Sequence, residues 1–446
     1  MKRTTESVAQ CEAMYSVWVV HGTDHSKIAE NALELAFFGA ANGLEGGKVV
    51  TRGKKVLLKP NAGFMGEPGS AVATNPEVLR GAIRFFKKAQ ASEVVMGEGA
   101  ITGVDTLESL ERSGLLKVAR EEGIEVLDMD AFPPVWVPVP GPLIIDSVAV
   151  SSCVGDFDLV VSIPVMKTHM YTGATLSVKN LKGCLPRREK IRMHQLMEAK
   201  DALPEPERGP AAEGMRQSGQ AVGLGEDQTH TGDETYHTLD KAIADIFSAF
   251  RGLVPTFALV DGTFGMEGFG PGGGSPVRMD TVIASHNLLA ADFVAASLMG
   301  FEPAEIPHLT LCAEKGLGPP NVGCCEVWPS DWMRLGRRFT RATPDLMGQV
   351  YPGVTIIADQ ACSGCSSTVV SFLRSYLPKE RNENLVIAVG RGAGDHPGCE
   401  KAVMIGNCTA KAYKCGKGRA FVKGCPPVPS RVLAAVSTCL SPQETE

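Results

Sequence analysis

Long apolar runs are missing from this 446-residue chain. Runs such as 354–358 and 385–389 are strand-length, far below the ~20 residues that a membrane-spanning helix needs. The expectation is a chain with no membrane span. No secretory leader is evident either: Lys2 and Arg3 run into the polar stretch 4–10 before a short apolar segment at 15–20, which points to the cytoplasm. Excess positive charge is also lacking. The 44 Lys plus Arg face 50 Asp plus Glu, a formal net of -6, so nothing favours nucleic acid or an anionic membrane as partner. No Gly-x-Gly-x-x-Gly follows the first strand, leaving dinucleotide binding without its fingerprint.

What is present is an ordinary globular mixture, 44% hydrophobic, with 49 Gly and 29 Pro for turns. Residues 15–320 alternate short β-branched runs with longer amphipathic stretches, the rhythm of a layered α/β domain with a mostly parallel sheet. Strands are expected at 16–20, 55–58, 93–96, 159–163, 256–260 and 281–284. Helices are expected at 76–89, with Asn75 as N-cap, and at 105–122, 239–250 and 290–299. The Pro- and Val-dense stretch 134–150 reads as an antiparallel excursion at the sheet edge. Residues 187–233 break the rhythm as an insertion, mobile or lid-like. The expected division is a first α/β domain at 1–318, a connector at 319–350 with a basic helical piece at 334–341, and a smaller C-terminal α/β domain at 351–446.

Thirteen cysteines, six of them between Cys362 and Cys425, read as metal ligation or redox chemistry in a reducing compartment. Cys362-Ser-Gly-Cys365, Gly406-Asn-Cys408 and Gly424-Cys425-Pro426-Pro427 each stand where an expected strand gives way to a loop. Chain ends meeting at one sheet edge bring the four sulfurs together. Thiolates are soft anions suited to iron–sulfur clusters or to zinc, and nearby glycines let backbone amides approach sulfide. Zinc ribbons pair two Cys-x-x-Cys knuckles, whereas here the third and fourth cysteines are singletons on separate loops, which favours a 4Fe-4S cluster. Cys399 and Cys415 stand as alternatives to Cys408, or as buried small hydrophobes. Cys11, Cys184, Cys312, Cys324, Cys325 and Cys439 read as structural.

The order Cys-x-Gly-Cys-Ser, Gly-x-Cys, Gly-Cys-Pro-Pro-x-Pro resembles the proximal 4Fe-4S site of nickel-iron hydrogenase small subunits and the related complex I cluster subunit. The likeness covers residues 354–437. It implies a C-terminal iron–sulfur domain with Cys362, Cys365, Cys408 and Cys425 as ligands.

In the first domain the polar motifs again fall at strand ends. Leu58-Lys59-Pro60-Asn61 opens a glycine-rich loop before Thr74-Asn75-Pro76, aiming a lysine, an amide and helix N–H groups at an anion. Gly97-Glu98-Gly99 puts a carboxylate at another strand end. The densest cluster is Lys167-Thr168-His169, then Lys179-Asn180-Leu-Lys182-Gly183. It offers charge for a carboxylate or phosphate and a group titrating near neutrality. In the functional reading Lys59 and Asn61 position the anion, with Glu98, Lys179 and Asn180 as further binding residues. Lys167 and His169 serve acid–base chemistry, and Asp261 orients His169 or binds a cation. Asp261 reads equally well as a cap on the glycine loop that follows it.

Leu-Lys-Pro-Asn, Thr-Asn-Pro-Glu, Gly-Glu-Gly, Pro-Val-Met-Lys-Thr-His, Ser-Val-Lys-Asn-Leu-Lys-Gly, Val-Asp-Gly with Gly-x-Gly-Pro, and Ala-Ala-Asp292 together resemble the family called domain of unknown function 362, over residues 15–318. Members often carry ferredoxin-type cysteine motifs after this domain, so the resemblance implies redox company and no named reaction. Here the hydrogenase-like segment stands in place of the ferredoxin repeat. The expected function is an iron–sulfur oxidoreductase that takes electrons from a donor protein such as a ferredoxin. The C-terminal cluster passes them to a small anionic organic substrate. A non-catalytic electron-transfer or cofactor-assembly partner is the alternative, and a zinc-stabilised binding module is a third reading.

Overall fold

A computed structural model describes residues 15–39, 51–169, 172–195, 238–341, 351–359, 361, 363–376, 385–424, 427 and 429–440. It builds on two main sheets and a two-stranded ribbon. In the first half the strands are β1 (Tyr15–His21), β2 (Lys55–Pro60), β3 (Glu93–Glu98), β4 (Glu125–Asp128), β5 (Pro134–Pro138), β6 (Ser147–Ser151), β7 (Leu159–Ile163), β8 (Val165–His169), β9 (Gly173–Ala174), β10 (Thr256–Glu267), β11 (Ser275–Ser285) and β12 (Cys325–Trp328). Ten of them form one sheet in the order β12-β1-β11-β10-β7-β2-β3-β4, with β8 and β9 joined to it through β10. The pairs from β10 through β7, β2 and β3 to β4 are all parallel, and β11 runs antiparallel between β10 and β1. The excursion β5–β6 is antiparallel as expected, but it forms its own two-stranded sheet.

Helices cover both faces, as parallel strands buried on two sides require. One core cluster gathers Leu57, Val160 and Ile283 with α7 (Thr238–Leu253), α8 (Leu288–Leu298) and α9 (Pro307–Glu314). The other takes the alternate residues Val56, Leu58 and Val161 with α1 (His25–Phe38) and α2 (Pro76–Lys88). This is the period-2 alternation of a strand between two helical layers. Asn75 caps α2 by accepting the Glu77 N–H, as expected. The single helix expected at 105–122 is two, α3 (Thr106–Arg112) and α4 (Leu115–Glu121), because Gly114 adopts the left-handed conformation at φ 78° between them. The first nine residues of the expected insertion, 187–233, form α6 (Arg187–Gln195), which follows the short α5 (Ser177–Asn180). Its Lys190 is buried against Asp130. The rest of that insertion lies outside the described residues. The basic helical piece expected at 334–341 is not one: a short 3₁₀ turn covers Trp332–Leu335, and Arg341 instead reaches Glu305 and the face of Phe301.

The second sheet holds four parallel strands in sequence order, β13 (Val354–Ile357), β14 (Leu385–Val389), β15 (Ala402–Ile405) and β16 (Ala420–Val422). On one face lie α10 (Ser363–Tyr376) and α12 (Pro429–Leu440), packed on Val403 and Val422. On the other lies the short α11 (Ala410–Lys414), beside Met404 and Phe421. No described helix is long and apolar enough to cross a membrane.

Candidate functional site

In the large sheet the chain leaves β2 for β3 and β4 on one side, then returns to β7 on the other side of β2. This reversal opens a crevice at the carboxyl ends of β2 and β7, where open α/β sheets hold their ligands. Lys59, Asn61 and Lys167 stand at that place.

Lys59 and Glu98 are each 1% exposed and 2.9 Å apart. The lysine also donates to Pro60 O at 2.8 Å and Asn180 Oδ1 at 3.0 Å, and the carboxylate accepts from Ala62 N and Gly99 N, both at 2.8 Å. Asn180 Nδ2 returns to Lys59 O and Ser162 Oγ. Lys59, Glu98 and Asn180 thus form a closed network whose hydrogen bonds stay within the protein. Expected as anion-binding groups, they brace the crevice floor.

Lys167 sits above that floor, 2% exposed. Its ammonium donates to Asn61 Oδ1 at 2.6 Å, Val72 O at 2.5 Å and Pro271 O at 3.4 Å. Burial, reinforced by the Lys179 charge, brings its pKa down to about 7. Accepting from Lys167 fixes the Asn61 amide so that its NH₂ points away from the lysine. Lys179 is drawn down to about 8 by burial, against the pull of Asp240. His169, 4% exposed, accepts the Thr172 N–H at Nδ1 (3.2 Å), which places the proton of the neutral ring on Nε2.

Asp261 is committed elsewhere. Its carboxylate accepts from Asn75 N at 2.7 Å and from Thr263 N and Oγ1 at 2.9 and 2.6 Å, tying the start of α2 to β10. Burial raises its pKa while these bonds lower it. Among the described residues neither His169 nor the glycine loop after β10 is a hydrogen-bond partner of its carboxylate.

Sequence reasoning missed the walls. A pocket of about 250 Å³ opens among Phe64 and Met65 after β2, Val104 after β3, Phe269 and Gly272 after β10, and Val370 of α10. Only the glycine-rich loops signalled it. Pro271 in the same β10 loop accepts from Lys167, and Gly273 packs directly against Val370. The buried carboxylate of Asp292, pushed up to about 7 by desolvation, accepts from Ser177 N and Val178 N and so seats α5. His25 escaped notice too: it bridges Asp280 at 2.8 Å and Asn75 at 2.9 Å.

Cys365 and Cys408 come together at the carboxyl edge of the small sheet. A Cβ on Gly406 would lie 2.7 Å from the Cys365 sulfur and 3.5 Å from the Cys408 sulfur, so only glycine leaves the space between them open. Two bonds tie this loop to the next: Asn407 N donates to Gly424 O at 2.9 Å, and Gly424 N to Asn407 Oδ1 at 3.0 Å. Thr368 of α10 donates to Pro427 O at 2.8 Å. These bonds hold the residues flanking position 425 beside Cys365 and Cys408. Cys362 and Cys425 themselves lie outside the described residues. Among the described residues no three His, Cys, Asp or Glu side chains group as metal ligands do.

Cys399 donates to Gly394 O within the core on the opposite face of the sheet, away from the Cys365 side. Cys415 is exposed at the end of α11. Cys184 and Cys325 are pushed up to about 12 by burial, which keeps them protonated and inert. Cys324 is disulfide-bonded.

The fold and the crevice define an α/β protein with a crevice at a strand-order switch, joined through α10 to a smaller parallel sheet that carries a cysteine edge. The chain belongs to the family described as Domain of unknown function (DUF362), whose model matches residues 56–297. It is also 28% identical over 286 residues to the thylakoid-associated protein sll1697 of Synechocystis sp. (strain ATCC 27184 / PCC 6803 / Kazusa), covering 61% of this chain and 71% of that one.

Proposed function

We propose that the protein is an iron–sulfur oxidoreductase. The cysteine edge holds a 4Fe-4S cluster, and the crevice binds a small anionic organic substrate. The observation that carries this reading is α10. It follows the Cys362 position, contributes Cys365, and five residues on sends Val370 into the pocket wall, a rise of about 7–8 Å along the helix.

The donor set fits such a cluster: two sulfurs face one glycine-cleared space, and a doubly bonded loop pair presents the flanks of the fourth cysteine beside it. Cys362, Cys365, Cys408 and Cys425 would hold it. When bound, the cluster supplies single electrons at low potential.

The chain's own groups supply the rest. Phe64, Val104 and Phe269 keep water from the substrate body, and the outward NH₂ of Asn61 offers a hydrogen bond to its polar end. Lys167, with a pKa near neutrality, and His169 would return protons as negative charge builds. A carrier protein of ferredoxin type supplies the electrons.

The test is anaerobic reduction of the purified full chain with dithionite, followed by addition of carboxylates or thioesters bearing an activated double bond. Reoxidation of the 400 nm chromophore with one product formed for every two clusters oxidised supports the reading. A chromophore indifferent to every such acceptor contradicts it.

A further inference from the structure

The chain as a whole is acidic, yet the last part of its described structure is not. From Val386 to Leu440 it carries eight Lys and Arg against only Asp395 and Glu400. Within this stretch the side chains of Lys411, Lys414, Lys423 and Arg431 are exposed and have no ion-pair or hydrogen-bond partner among the described residues.

Their positions follow the cysteine edge. Lys411 and Lys414 lie on α11, which begins two residues after the exposed Cys408. Lys423 directly follows β16, beside Gly424, and Arg431 sits in the first turn of α12, just past Pro427. The edge is therefore flanked by cations from both faces of the sheet. On α11, Tyr413 is 38% exposed and stacks on Phe421 with ring centroids 5.5 Å apart. Such a braced aromatic among charges is typical of a binding hot spot.

We propose that Lys411, Lys414, Lys423, Arg431 and Tyr413 form the docking surface for an acidic one-electron carrier protein, an inference that rests on the iron–sulfur reading above. Charge complementarity selects the partner. A positive patch on a negative chain orients an acidic protein toward one edge, while the overall charge repels extended polyanions. The step served is simple: one electron passes from the reduced carrier, which is oxidised by one, to the cluster, which is reduced by one. No bond forms or breaks.

The test uses the anaerobically isolated full chain and an acidic 2Fe-2S ferredoxin as probe, with duplex DNA and phosphatidylglycerol vesicles as competing ligands, followed by calorimetry. The account expects ferredoxin binding that weakens at least about tenfold between about 20 and about 200 mM salt. A similar loss is expected in the Lys411→Glu/Lys414→Glu/Lys423→Glu variant, with iron content and melting temperature unchanged. The milder Lys411→Gln and Lys414→Gln variants should each show part of the loss, which guards against a misfolded triple variant. Ferredoxin binding that ignores these changes overturns the proposal, as does tighter binding of DNA or vesicles through the same lysines. If the isolated chain holds no iron, the oxidoreductase reading fails separately, because the binding measurement does not depend on it.

Discussion

At the carboxyl edge of the large sheet three buried cations have protein partners: Lys59 meets Glu98, Lys167 meets three oxygens, and Lys190 meets Asp130 and Ala100 O. At the carboxyl edge of the small sheet, where two sulfurs share a space, the exposed side chains of Lys411, Lys414 and Lys423 have no partner among the described residues. A lysine enclosed in a low-dielectric crevice must be compensated, because an unpaired buried charge is prohibitively unfavourable. A solvated lysine needs no compensation and remains available to a partner. The first edge is built to hold its geometry, the second to be approached.

Several substitutions probe that difference. The largest effect is expected from Cys408→Ser, which should remove most of the bound iron, while Cys399→Ser and Cys415→Ser leave the iron-to-protein ratio unchanged. Equal losses in all three would erase the distinction between the shared space and the rest of the sheet. Next, Lys59→Met strands Glu98 in the interior and should lower the free energy of unfolding by about 3–5 kcal/mol, measured by urea titration. Lys414→Met, the same exchange at the open edge, should stay within about 0.5 kcal/mol. A cost at position 59 as small as that at 414 would show that the network is not closed.

The buried ammonium also predicts a pH dependence. Lys167 falls from the ordinary 10.5 to about 7 on folding, so between those values the unfolded chain binds a proton that the folded chain has released. Stability therefore rises with pH across this window, by at most about 1.4 kcal/mol per pH unit from this group. Below pH 7 the full desolvation penalty remains. Lys179, lowered to about 8, adds a contribution of the same sign above pH 8. Lys167→Met should flatten the slope of unfolding free energy between pH 7 and 8. An unchanged slope would show that Lys167 keeps its ordinary affinity for protons. The smallest effect belongs to Arg120→Ala, which breaks a solvent-exposed pair with Glu111 and should cost no more than about 1 kcal/mol.

Six strands of the large sheet were legible as short apolar runs, while β4, β8, β9 and β12 were not foreseen, and the apolar run 385–389 emerged as a strand with those limits. Helix α1 was overlooked although Asp24 caps it and Ile28, Ala29, Ala32, Leu33, Ala36 and Phe37 repeat on one face. That signal was local and readable. The Lys59–Glu98 pairing was not: each residue alone looks like a free charge at a strand end, and only the parallel register of β2 with β3 brings them together. Asp261 is similar, since its partner Asn75 is 186 residues away. The choice of Cys408 over Cys399 depends on which face of β15 each side meets, a fact of packing that cysteine spacing does not encode.

The most direct test of the central claim is iron and acid-labile sulfide analysis of the full chain, isolated without oxygen, with electron paramagnetic resonance after reduction. The account predicts four irons and four sulfides per chain and a signal from a reduced cubane cluster. A colourless protein with zinc in place of iron would contradict it.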